Sequence, residues 1–335
     1  MSLRALFYWT LPAWVALAAL LPPSLHPGKR ASRMMQELGI APGTSWRRFE
    51  FRLFLSLWRS LLLLDHGFTS PVPRLHRFLR TRVTERGTRS LDEIADMSGG
   101  VILAAPHYGA FIPACLRVIQ SMHGRKRFNV IFNDPKVTPS NAPYGELFAR
   151  LGCDVTVLYP DRRGTMAALK ALKRGECLAI LPDVYFESET TIAVPFFGRL
   201  LRVMAGTAFF ASRTGAPIVP IYGIPNASMG MELLVGQAIE STAHTVEDEA
   251  QTLFNITAAM MGEMERQFVA APEHWNYWDS LRHRSTRLPS SPANSHAEHL
   301  RVLSEKLADA PVLFREIPQL AQRRDALRRG LAAEK

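Results

Sequence analysis

From Gly99 to about Ile239 the chain alternates between short apolar runs and longer amphipathic stretches. The runs "VILAA", "NVIFN", "DVTVLY", "CLAIL", "TIAVPFF", "PIVPIYG" and "ELLVG" have the length and composition of strands. Between them, residues 110–122, 144–151, 165–173 and 205–214 carry a helical pattern. Gly124, Gly152, Gly175 and Gly215 follow these stretches where C-terminal caps belong. The alternation predicts an α/β fold with a mixed, largely parallel central sheet flanked by helices. Sites in such sheets lie at the carboxyl ends of the strands. His107 follows one strand, Arg162 and Arg163 another, and Asp183 a third, so polar residues at three strand ends are expected to converge on one cleft. A helix is predicted over 246–268, followed by "PEHWNYWDSLRHR".

The flanks have a different pattern. No charge occurs from Ala5 to Pro23, a run close to the roughly 17-residue lower limit for a bilayer span. Its single preceding Arg4 and the lack of a small-residue cleavage site favour an uncleaved membrane anchor, residues 1–23, over a signal peptide. Tyr8, Trp9 and Trp14 suit a membrane interface. Lys29, Arg30, Arg33, Arg47 and Arg48 come after the run, which predicts a main domain on the cytoplasmic side of an inner membrane. Within residues 24–98, "RRFEFRLFLSLWRSLLLLDHGF" reads either as a basic amphipathic helix on an anionic leaflet or as a core-packing helix. Residues 99–284 form the expected α/β domain. Residues 285–335 start with a Ser/Pro-rich linker and continue into a basic helical tail.

Net charge changes the picture of partners. At +10 the chain favours acidic ones. A nucleic-acid binder would explain the charge but not the apolar N-terminus, and no nucleic-acid-binding motif is present. Cys115, Cys153 and Cys177 lie at neither disulfide nor zinc spacing, so no metal is expected.

The segment "APHYGAF" places His107 where a catalytic histidine leaves a strand. A carboxylate five residues on would orient it, but that position is Ile112. Together "APHYGAF", "RRGTMAALKALKRGE", "LPDVY", "AVPFFGRLLRVMAGTAFFASRTGAPIVPIY" and "PEHWNYW" resemble the lysophospholipid acyltransferase superfamily, specifically its lipid A late-acyltransferase branch. The resemblance runs from the N-terminus to about Arg284 and implies a glycerol-phosphate-acyltransferase-like sheet.

It implies that His107 takes a proton from an acceptor hydroxyl attacking an acyl thioester. Arg163, with Arg162 beside it, would bind an anionic group, and Tyr108 and Gly109 would sit at the substrate. Asp183 or Glu187 would stand in for the absent acid. Phe111, Phe196 and Phe197 would wall the acyl chain. The expected donor is acyl carrier protein, or acyl-CoA, and the acceptor is a lipid of lipid A type or a diverged one. No cofactor is expected, because a thioester is already activated. A catalytically dead lipid-binding relative is the alternative that Ile112 supports. Trp275 and Trp278 read either as a packing corner or as membrane-interface residues.

Overall fold

The computed structural model describes residues 3–183, 191–197, 199–241 and 249–287. Three helices come first: α1 (Leu3–Ala18), α2 (Pro27–Glu37) and α3 (Trp46–Thr69). There follow α4 (Val72–Thr81), β1 (Val83–Gly87), α5 (Leu91–Asp96), β2 (Val101–Ala104), α6 (Phe111–Met122), β3 (Phe128–Ile131) and α7 (Ala142–Arg150). Then come β4 (Val155–Leu158), α8 (Arg162–Lys173), β5 (Cys177–Ile180), β6 (Thr191–Phe196), β7 (Arg199–Met204), α9 (Gly206–Thr214), β8 (Ile218–Pro225) and β9 (Met231–Val235). The last described elements are α10 (Glu249–Ala270), α11 (Leu281–Arg284) and β10 (Ser285–Arg287).

Seven strands form the central sheet in the order β1-β9-β8-β2-β5-β3-β4. From β8 to β4 every pairing is parallel; β9 turns back antiparallel on β8, and β1 runs parallel to β9. β2 and β3 are buried at every position because helices cover both faces of the sheet. One core face gathers Ile102, Ala104, Leu178 and Ile218 beneath α9 and α10; the other gathers Val101, Leu103, Val130 and Ala179 beneath α6. The left-handed cap at Gly215, φ 70°, closes α9 and admits the chain to β8.

Two parts of the sequence pattern end up elsewhere. "TIAVPFF" forms β6, which pairs antiparallel with β7 in a separate three-strand ribbon completed by β10. β1, inside the stretch expected to be helical and membrane-associated, supplies an edge strand of the main sheet instead.

The expected membrane-spanning helix is corrected. Among the described residues no helix is long and apolar enough to cross a membrane. α1 has 16 residues, so its length of about 24 Å falls short of a hydrocarbon core of about 30 Å. It is also two-faced. Tyr8, Leu11 and Val15 recur at helical spacing and are buried, with Leu11 and Val15 packed on Phe54 and Leu55 of α3. Leu6, Phe7, Trp9, Trp14 and Leu17 stay exposed on the other side, as do Trp58 and Leu61 of α3.

Candidate active site

The chain leaves β2 through Ala105 and Pro106, and the Pro106 carbonyl accepts the Tyr108 N–H at 2.6 Å in a sharp turn. Gly109 follows with φ 53°, and a Cβ there would stand 2.1 Å from the Gly223 carbonyl oxygen. Only glycine fits this crossing of β8. Gly109 and Tyr108, expected at the substrate, are both buried at this crossing. Tyr108 is fully buried, stacked on Phe268, donates its hydroxyl to the Ala271 carbonyl and accepts from Gln267.

The turn leaves His107 at the carboxyl end of β2, partly exposed, between the rings of Phe111 and Tyr277 at 4.7 and 4.2 Å. Asp183 follows β5, the strand beside β2, and this adjacency brings two residues 76 positions apart into contact. His107 Nδ1 lies 2.9 Å from Asp183 Oδ1, and the His107 backbone N–H donates to Oδ2 at 2.9 Å. The Trp275 indole N–H donates to the same Oδ2 at 3.0 Å. The Asp183 carboxylate is wholly buried. Burial alone would raise its pKa, but the His107 charge and the hydrogen bonds from His107 and Trp275 outweigh it and hold the carboxyl below its ordinary range. A carboxylate accepts only, so the proton between the two side chains sits on Nδ1, and in the neutral imidazole Nε2 then keeps its lone pair. Glu187, the other acid considered, lies outside the described residues.

Ile112 occupies the second position of α6 and is wall, not partner. It borders a cavity of about 900 Å³ that His107 also lines. One side of this cavity is apolar and comes from the α6 face of the sheet: Ile112, Cys115, Val130, Phe148 and Ala179. The opposite side comes from the α9–α10 face, with Ile131, Ala205, Phe210 and Leu253. Asn133, Thr138, Ser140 and Asn141 give it one polar rim. Phe111 lines this space; Phe196 and Phe197 do not. Alternation along β6 turns Phe196 inward onto Trp275 and Phe268, and Phe197 packs on Phe196 and Trp278.

Arg162 and Arg163 open α8 beyond β4 and are exposed. β4 lies three strand spacings from β2, roughly 14 Å, so these charges stand away from His107, on the same edge of the sheet. Thr165, one half-turn further along α8, lines the cavity.

What the sequence did not reveal is the role of "PEHWNYW". Trp275 and Trp278 are buried, which settles them as packing residues and not membrane-interface ones. Tyr108 and Trp275 face each other in an antiparallel bridge: Gly109 N–H donates to the His274 carbonyl at 2.6 Å, and Asn276 N–H donates to the His107 carbonyl at 3.0 Å. His274 is itself half-buried, with Nδ1 2.7 Å from Ser56 Oγ of α3, while Arg52 pairs with Glu273 at 3.4 Å. The aromatic density of the segment was visible beforehand; that its indole reaches a carboxylate 92 residues away was not.

The family profile described as bacterial lipid A biosynthesis acyltransferase matches residues 72–281 of the 335-residue chain. No curated protein matches the chain. The matched segment contains both members of the His107–Asp183 pair, the cavity and Trp275.

Proposed function

We propose a mechanism for this chain, which belongs to the bacterial lipid A biosynthesis acyltransferase family and is therefore an acyltransferase with a lipid-like acceptor. His107 is the general base. Its Nε2 takes the proton of an acceptor hydroxyl as that oxygen attacks the carbonyl carbon of an acyl thioester. The tetrahedral adduct collapses with cleavage of the C–S bond, and the same proton passes from Nε2 to the departing thiolate. Asp183 stays ionised throughout and fixes the Nδ1–H tautomer, the task left open by Ile112. The observation that carries this reading is the contact of His107 Nδ1 with Asp183 Oδ1 at 2.9 Å, where His107 lines a largely apolar cavity.

The acyl chain enters along Phe111, Ile112 and Cys115. An acidic side chain at position 112 would interrupt that wall; isoleucine continues it. The volume of about 900 Å³ stands near the top of the usual range for small-molecule sites, about 300–1,000 Å³. Acyl carrier protein is the donor favoured by a net charge of +10, since an acidic carrier is steered to a basic enzyme; acyl-CoA is the alternative. Arg163 serves an anionic group of donor or acceptor distant from the reacting carbon.

Membrane attachment in this reading is in-plane. The exposed faces of α1 and α3, with Trp9, Trp14, Leu17, Trp58 and Leu61, lie in the cytoplasmic leaflet of the inner membrane, and Arg47 and Arg48 meet anionic headgroups. The test is lipid mass spectrometry of cells with and without the protein, alongside His107→Ala. A lipid heavier by one acyl chain should accumulate only with the unmodified protein. Equal accumulation with His107→Ala would overturn the mechanism.

A further inference from the structure

Asp183 has two oxygens with different duties. Oδ1 faces the imidazole; Oδ2 takes the His107 backbone N–H and the Trp275 indole N–H. A buried carboxylate with no second oxygen held could swing and lose its aim at Nδ1. The backbone donor alone comes from the residue it must orient, so it travels with His107. Trp275 provides the donor from a different segment of chain.

The indole itself is fixed in three ways. It stacks on Phe268 at 4.8 Å and 22°, and it meets Phe196 and Trp278 edge-on at 5.8 and 4.8 Å. Its two sequence neighbours, His274 and Asn276, exchange backbone hydrogen bonds with Gly109 and His107. The bridge therefore sets imidazole and indole in one local register, and both meet the Asp183 carboxylate.

We propose that Trp275 is a positioning residue for acyl transfer, whose indole N–H holds Asp183 aimed at His107 and so lets an acid just beyond β5 replace the one missing from α6. The proposal rests on the reading of His107 as base. A competing account runs the other way: a buried indole needs an acceptor, and Asp183 merely satisfies it. The two accounts differ in what Trp275→Phe does. Phenylalanine keeps most of the stack and removes the donor. Without it the carboxylate is a stronger acceptor for a proton from the imidazole, so the dyad holds its proton more tightly.

The experiment compares Trp275→Phe with Trp278→Phe, which also removes a buried indole N–H, there from the Pro272 carbonyl. Activity with an acyl thioester is measured across pH, together with the low-field proton NMR signal of the His107 Nδ1–H. Trp275→Phe is expected to lower kcat roughly tenfold with KM little changed, to move the acid limb of the pH–rate profile upward, and to displace the NMR signal. Trp278→Phe should leave all three within about twofold or unmoved. If Trp275→Phe, folded, keeps both the NMR signal and the pH profile of the unmodified protein, the proposal is overturned. If the signal moves but the unmodified protein transfers no acyl group, the positioning stands and the base reading of His107 falls.

Discussion

Replacing Asp183 by asparagine exchanges one carboxylate oxygen for an NH2 group and reverses the proton order of the site. Two N–H donors converge on Oδ2, from His107 and Trp275, so the asparagine oxygen must take that side. Its amide nitrogen then faces His107 Nδ1, where Asp183 Oδ1 stood at 2.9 Å. Two donors cannot share that contact, so Nδ1 gives up its proton and Nε2 acquires one. The nitrogen that should accept the substrate proton is then occupied. The opposite amide orientation would press a donor against two buried donors, leaving unpaired groups that cost roughly 1–3 kcal/mol each. Forcing the wrong tautomer costs about 10⁴ in rate in a serine protease. A thioester is more reactive than an amide, so the expected loss here is about 10²–10⁴, or roughly 3–5 kcal/mol at 1.36 kcal/mol per decade. The assay follows thiol release from an acyl thioester in the presence of acceptor lipid, with thermal unfolding to confirm that the variant folds. A folded Asp183→Asn protein retaining more than a tenth of kcat would refute the reasoning. Adding Ile112→Glu to Asp183→Asn should restore nothing, because that carboxyl would sit in an apolar wall and neutralise itself.

Three other outcomes are expected. Burial, with Arg52 and Arg59 nearby, lowers the His274 pKa from 6.5 to about 4, so the folded protein keeps it neutral where the unfolded chain takes up a proton. That contribution, about 3 kcal/mol, is fully present above pH 6.5 and is lost as pH falls toward 4; denaturant titrations at several pH values should show a smaller loss over this window in His274→Gln, and an equal loss would contradict it. Trp9→Ala with Trp14→Ala should weaken binding to anionic vesicles at least tenfold in a flotation assay while leaving α1 packed, since Tyr8, Leu11 and Val15 are untouched; undiminished binding would remove α1 from the attachment surface. Arg163→Ala and Arg163→Lys should both raise the KM of the charged substrate several-fold with kcat within about twofold, because Arg163 lies strands away from the reacting carbon; a fall in kcat alone would place it elsewhere in the mechanism.

The sheet was largely legible in the sequence because its inner strands are buried on both faces and read as unbroken apolar runs. β2, β5 and β8 show this, and the glycines that end the neighbouring helices mark the boundaries. β1 escaped notice because "VTERG" buries only Val83 and looks like a polar loop. β7, "RLLRVM", lacks simple alternation and owes its strand form to pairing with β6. Strand order could not be read from periodicity, and strand order is what sets Asp183 beside His107 and Arg163 apart from it. His107 and Asp183 could each be suspected from a position just after a strand. Their contact, the indole on Oδ2 and the wall made by Ile112 depend on pairings across dozens of residues, which local pattern does not encode. α1 misled for a physical reason: a helix apolar all round resembles a span whether its inner face meets lipid or protein.

The tie between α3 and the 272–275 segment has a consequence for how this protein can vary. The recognisable family segment begins at residue 72, after α3 has ended. Yet Ser56 and Arg52 of α3 grip His274 and Glu273, and the His274 carbonyl in turn anchors Gly109 beside the turn that carries His107. No residue of α3 lines the cavity. The inherited unit of chemistry is thus shorter than the unit that must fold and move together. Natural drift in a helix whose outer side answers only to its surroundings is restrained, on its inner side, by an active site it never touches.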